Sequence, residues 1–205
     1  MTLRSTERLA LAHGACVIVE LGDLDAALGR LDPVEQRRAH ELSAIRRRDF
    51  VAGRSALHLA LASAAPILSD DRGAPILPAG WVGSLSHKGP RAAALVAPAG
   101  DGHVGIDLEL AAPPGHDIAP RILTARELAA LPDRGRAVTL RFAIKEAIYK
   151  ALDPYLRRYI SFLEAELDFA GDAVAVTTAL PFTVDATWRE HAGHWLATAR
   201  ALPKL

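Results

Sequence analysis

Five charged residues in two short segments could do chemistry together. In Val104-Gly105-Ile106-Asp107-Leu108-Glu109-Leu110, apolar side chains alternate with Gly105, Asp107 and Glu109. Alternation of period two predicts a strand whose two carboxylates leave one face while the apolar side chains enter a core. Two carboxylates that close repel each other unless a cation lies between them, and oxygen ligands suit a hard divalent ion. Downstream, Lys145-Glu146-Ala147-Ile148-Tyr149-Lys150 reads as helical and adds a third carboxylate and two lysines. Phe142, Lys145 and Tyr149 share one stripe of that helix, and Glu146 and Lys150 stand four apart on the neighbouring one. Alone, such a Glu–Lys pair merely decorates a helix surface. Beside Asp107 and Glu109 it completes what a magnesium-bridged phosphate anhydride requires.

Three further segments gather donors for phosphate. Gly83-Ser84-Leu85-Ser86-His87-Lys88-Gly89 combines hydroxyls, an imidazole, a lysine and flanking glycines, which together offer donors and close backbone approach. Arg46-Arg47-Arg48 and Arg54 lie on one helical stretch, with Arg46 and Arg54 eight residues apart. At that spacing they are expected about two turns apart on nearly one face, where guanidinium forks can hold a phosphate. Arg72-Gly73-Ala74-Pro75 is a tight turn presenting one cation.

The elements that must position these groups follow from pattern. Asp32-Pro33-Val34-Glu35 and Thr124-Ala125-Arg126-Glu127 have the form of helix starts with a capping box. One helix runs from near Pro33 through the arginines, with Gly53 a possible break, and another spans about Arg136 to Leu152. Strands are expected at Cys16–Val19 (the first), Trp81–His87, Ala92–Ala97 and the Asp107 segment. More should lie between Leu167 and Thr178, from Phe182 to Trp188, and from His194 to Arg200. Each half ends in apolar strands after a long helix, which divides the chain into residues 1–102 and 103–205. No residue-level repeat is visible.

Composition limits the partners. The 205 residues include 24 basic and 24 acidic side chains, so no net charge draws the chain to nucleic acid or an anionic membrane. The apolar stretch Leu9–Leu21 is too short to span a bilayer. The single cysteine, Cys16, leaves no internal disulfide and fits a reducing compartment. A cytoplasmic protein is expected.

Together these residues resemble the 4'-phosphopantetheinyl transferases of the surfactin and enterobactin type. The resemblance rests on Gly105-x-Asp107-x-Glu109 and on Phe142-x-x-Lys145-Glu146-Ala147-x-x-Lys150. Upstream, in the family's order, come the arginine-rich helix ending in Gly53-Arg54, the turn Arg72 to Pro75, and Ser84-x-Ser86-His87. It covers about residues 40 to 160. Phe142 stands where many members carry Trp.

The resemblance implies an α+β fold of two similar α/β subdomains related by pseudo-two-fold symmetry, with coenzyme A in the cleft between them. It implies transfer of the phosphopantetheine arm to a serine of an apo acyl or peptidyl carrier protein, releasing adenosine 3',5'-bisphosphate. Asp107, Glu109 and Glu146 are then expected to hold Mg2+, with Glu146, directly or through a metal-bound water, the base for the serine. Lys150, and more weakly Lys145, would face the pyrophosphate. Arg46, Arg54, Arg72, Ser86 and His87 would grip the nucleotide end. A monomer is expected. Two rivals use parts of the same pattern: a metal-dependent phosphodiester hydrolase, and a catalytically silent homologue that binds coenzyme A or a carrier. The hydrolase leaves the ordered arginines and the His87 segment unexplained, and the silent homologue leaves unexplained why every ligand is present.

Overall fold

The computed structural model describes residues 2–131 and 134–204. The chain divides into two compact units, Met1–Gly100 and Asp101–Leu205.

In the first unit, strands β1 (Leu3–Leu11) and β2 (Gly14–Leu21) form a hairpin. Helices α1 (Leu24–Leu28), α2 (Pro33–His40) and α3 (Ala44–Leu61) follow. A second hairpin, β3 (Trp81–Lys88) and β4 (Arg91–Pro98), completes an antiparallel sheet of order β1-β2-β4-β3. Strand β1 precedes the strand expected to be first. Its alternating, only partly buried side chains are those of a sheet edge, which lacks the apolar run that marks a central strand. Helix α3 lays Val51, Ala52, Ala56 and Leu57 on Val17, Val19, Ala92, Ala94 and Val96. It also runs through Gly53 without a break. One interior glycine costs about 1 kcal/mol, which the buried apolar face of an 18-residue helix outweighs.

The second unit opens with β5 (His103–Leu110), the short helices α4 (Ala119–Ile122) and α5 (Ala125–Ala130), and the long helix α6 (Arg136–Leu156). The hairpin β6 (Ala165–Ala170)–β7 (Ala173–Thr178) stands as its own pair. Strands β8 (Phe182–His191) and β9 (His194–Pro203) join β5 in the order β5-β9-β8. Helix α6 continues four residues beyond the expected end, with Pro154 inside its last turn. Its core stripe, Ala143, Ile144, Ala147, Ile148 and Ala151, packs on Trp195, Ala197 and Ala199 of β9.

The mixed helices and antiparallel sheets make this an α+β protein. The two units share one chain order: a strand, a long helix, then a hairpin whose second strand inserts beside the first. Thus β4 lies between β2 and β3, and β9 between β5 and β8. No described helix is long and apolar enough to cross a membrane.

Candidate active site

The geometry around Asp107 starts from Gly105. A β-carbon there would lie 1.9 Å from the Ala147 carbonyl oxygen and 2.8 Å from the Ala151 nitrogen, so only glycine lets α6 sit this low on β5. The close approach brings the turn of α6 that carries Glu146 and Lys150 over the polar face of the strand. Lys150 Nζ donates to Asp107 Oδ1 at 2.7 Å and to the Ile106 carbonyl at 3.0 Å. The expectation that Asp107 stands outside the core is therefore corrected. Its side chain is 6% exposed, because α6 covers the face that the carboxylates leave. Val104, Ile106 and Leu108 are buried on the other face.

Glu146 is half-buried on α6. Burial raises its pKa, Lys150 opposes the rise, and the nearby charges of Asp107 and Glu109 add to it. The three carboxylates thus share one electrostatic neighbourhood. Their oxygen-only donor set has the chemistry a hard divalent cation asks for. Among the described residues, no group of three or more His, Cys, Asp or Glu side chains is disposed to hold a metal ion.

Lys145 departs from its expected role. It is a fully buried side chain, and Nζ donates to Glu127 Oε2 at 2.7 Å, the Ile122 carbonyl at 2.8 Å and the Phe162 carbonyl at 3.0 Å. An ammonium has three protons, so all are committed within the unit and none is left for a ligand. Burial lowers its pKa, with Glu127 opposing. Glu127 itself was legible only as the third helical residue of a capping box. It accepts from the amides of Thr124 and Leu167 as well as from Lys145, and its burial has no signal in the sequence.

The first unit distributes its cations differently from the sequence expectation. Arg46 is exposed, while Arg54 is buried. Eight residues of helix rotate by about 80° beyond two turns, enough to put one side chain in solvent and the other in the core. Arg54 Nε donates to the Ile67 carbonyl and Nη2 to Ser69 Oγ at 2.7 Å, and its guanidinium lies 4.4 Å over the Phe50 ring. Burial brings its pKa down to about 10, against the pull of Glu35. Arg47 donates to the Ala39, His40 and Leu42 carbonyls, capping the end of α2. Arg72 is exposed near the tip of a tight turn in which Asp70 Oδ1 accepts from the amides of Arg72 and Ala74, each at 2.9 Å.

Ser86 and His87 are neighbours on β3 and so point to opposite faces. Ser86 is buried opposite Ala93. His87 is exposed on the α3 face, with Nε2 3.1 Å from Asp49 Oδ2. Asp49 sits within the arginine run, where the basic residues masked it as a partner.

Comparison with known proteins follows the same two segments. The model of the 4'-phosphopantetheinyl transferase N-terminal domain matches residues 35–97, and that of the 4'-phosphopantetheinyl transferase superfamily matches residues 103–200. The 4'-phosphopantetheinyl transferase Npt of Nocardia iowensis is 36% identical, covering 67% of this chain and 65% of its own. The 4'-phosphopantetheinyl transferase PptT of Mycobacterium tuberculosis is 34% identical, covering 64% and 62%. A crystal structure of Thermotoga maritima holo-[acyl-carrier-protein] synthase is similar at TM-score 0.40 and 26% identity, covering 50% of this chain and 63% of that one. The chain spans just under two thirds of the length of these relatives. On the two family models and the two sequence relatives, the chain belongs to the 4'-phosphopantetheinyl transferase superfamily.

Proposed function

We propose that this chain moves the 4'-phosphopantetheine arm of coenzyme A to a serine hydroxyl of an apo acyl or peptidyl carrier protein. The observation that carries the reading is the seating of α6 on Gly105, which gathers Asp107, Glu146 and Lys150 at one place. In the step, the serine oxygen attacks the phosphorus bearing the pantetheine and the bridging P–O bond breaks. The bridging oxygen leaves with adenosine 3',5'-bisphosphate, and the serine proton passes to Glu146. A carboxylate raised by burial is suited to that work, since a base acts best with its pKa near the operating pH. Asp107, Glu109 and Glu146 would hold Mg2+, which when bound supplies charge neutralisation at the pyrophosphate.

Lys150 orients Asp107 and places a positive charge beside the leaving group. Arg46, Arg72 and His87 are assigned to the nucleotide end, with Ser86 and the remaining donors of Arg54 in support. We place the activity in the cytoplasm, as a monomer acting on coenzyme A and a carrier rather than on nucleic acid or membrane. The test is release of adenosine 3',5'-bisphosphate from coenzyme A with and without an apo carrier. Release that requires the carrier supports the transferase. Release without it identifies a hydrolase, and binding without release a silent homologue.

A further inference from the structure

A second buried pair, Glu35 and His58, lies in the first unit beside the buried Arg54. Glu35, the third residue of the α2 capping box, is fully buried. Its Oε1 accepts from the amide of Ile67 at 3.0 Å, and its carboxylate lies 2.9–3.0 Å from His58 Nε2. The other ring nitrogen, Nδ1, lies 2.7 Å from the Ser63 carbonyl. Both ring nitrogens therefore face acceptors, and only an imidazolium donates to both.

Ile67 is held at its other end by Arg54, which donates to its carbonyl and to Ser69. From this anchor the chain runs out and back as a small hairpin. Ile76 donates to the Leu68 carbonyl at 2.9 Å and Asp70 to the Ala74 carbonyl at 2.9 Å, with Arg72 near the tip. The hairpin joins no strand of the main sheet; besides the burial of Ile67 and Leu77 against the core, Glu35 and Arg54 hold its start through the Ile67 amide and carbonyl. A cavity of about 190 Å³, lined by Leu3, Arg30, Leu31, Asp32, Ser55 and His58, gives the imidazole a route to solvent protons. The charged groups facing His58 are Glu35 from α2 and Arg54 from α3, with Arg30 and Asp32 across the cavity.

We propose that Glu35 and His58 are positioning residues for the Arg72 turn, so that nucleotide-end affinity follows the protonation of His58. With both ring protons in place, Glu35 is fixed and holds Ile67. Loss of one proton turns a bond into a lone-pair clash with the Ser63 carbonyl or with Glu35, and the hold on Ile67 loosens. The second unit performs the same task with a lysine in place of the histidine: Lys145 holds Glu127, which holds the amide of Leu167. The proposal rests on the assignment of Arg72 to the nucleotide end.

The test compares coenzyme A affinity of the wild type and of His58→Lys from about pH 6 to about pH 9, spanning the ordinary and raised histidine range. Changes in the ligand's own charge are common to both proteins and cancel. Wild-type affinity should fall about tenfold more than that of His58→Lys, the weight of one charge-assisted hydrogen bond. His58→Gln should bind weakly at every pH. In the wild type, the NMR amide signals of Ile67 and Gly73 should shift with the same midpoint as the His58 ring.

Parallel loss of affinity in wild type and His58→Lys, with Ile67 and Gly73 indifferent to His58, overturns the proposal. If His58→Lys does not fold, the amide titration decides alone. If coenzyme A binds at no pH, the functional reading fails, and the linkage of Ile67 to His58 is again judged by the amide titration.

Discussion

The backbones of Gly105 and Ala147 approach so closely that a β-carbon on Gly105 would lie 1.9 Å from the Ala147 carbonyl oxygen. No side-chain rearrangement relieves a clash with backbone. The helix bearing Glu146 and Lys150 keeps its height above Asp107 only while residue 105 is glycine. Gly105→Ala should therefore destabilise the protein by more than about 4 kcal/mol, the exceptional end of single-substitution effects. Urea unfolding would show it as a lowered midpoint, and near-native stability with near-native turnover would contradict the packing argument.

Lys145 and Glu127 form a pair with each side chain 1% exposed. Lys145→Met leaves a buried carboxylate without its cation, a loss of about 3–5 kcal/mol in comparable pairs. The double variant Lys145→Met, Glu127→Gln should recover part of it, and the cycle isolates the pair. Unchanged stability with weakened coenzyme A affinity in Lys145→Met would return this lysine to the ligand.

Asp107→Asn keeps the side chain's shape but removes the charge that Lys150 holds at 2.7 Å. Because Asp107 is paired as well as near like charges, its neutralisation should lower stability by about 1.5–3 kcal/mol, the usual weight of a charged hydrogen bond, and abolish transfer. A melting temperature above that of the wild type would mean that carboxylate repulsion outweighs the Lys150 bond.

Stability should also depend on pH through the first unit. The hydrogen bond to Glu35 raises the pKa of His58 above its unfolded value, so the stability it contributes is complete below about pH 6.5 and lost as pH rises through the raised value. For Glu35, burial pushes upward, but the bonds from His58 and Ile67 outweigh it and leave the group lowered. Its contribution is present above about pH 4.3 and lost as pH falls through the lowered value. Melting temperature of the wild type should peak between those limits, and His58→Gln should flatten the alkaline side. An equally steep alkaline fall in the variant would assign it elsewhere.

What was legible in the sequence was local. The alternation at Asp107, the helical spacing of Glu146 and Lys150, and the capping boxes at Asp32 and Thr124 each depend on a few neighbouring residues, and the structure has all of them. What was not legible was which stripe of a helix meets which neighbour. Lys145 and Lys150 are separated by about 140° around the helix axis; both are lysines in one motif, yet one is sealed in the core and the other reaches Asp107. Arg46 and Arg54 differ in the same way.

The internal similarity was hidden for a related reason. Glu35 and Glu127 each occupy the third helical position of a capping box, hold a distant amide and pair with a basic side chain from a long helix. The basic group is histidine in one unit and lysine in the other, and the distant amide is Ile67 in one and Leu167 in the other.

In the proposed reaction Glu146 takes the proton of a carrier serine as the phosphopantetheine arm is transferred. The most direct measurement of that step is the intact mass of an apo carrier protein after incubation with coenzyme A, Mg2+ and either wild type or Glu146→Gln. With wild type the carrier should gain one phosphopantetheine, on serine. Glu146→Gln should lose turnover far more than coenzyme A affinity, as befits a group acting in the transition state. A carrier whose mass never changes with wild type, or a Glu146→Gln enzyme that modifies it at the wild-type rate, would contradict the proposed reaction.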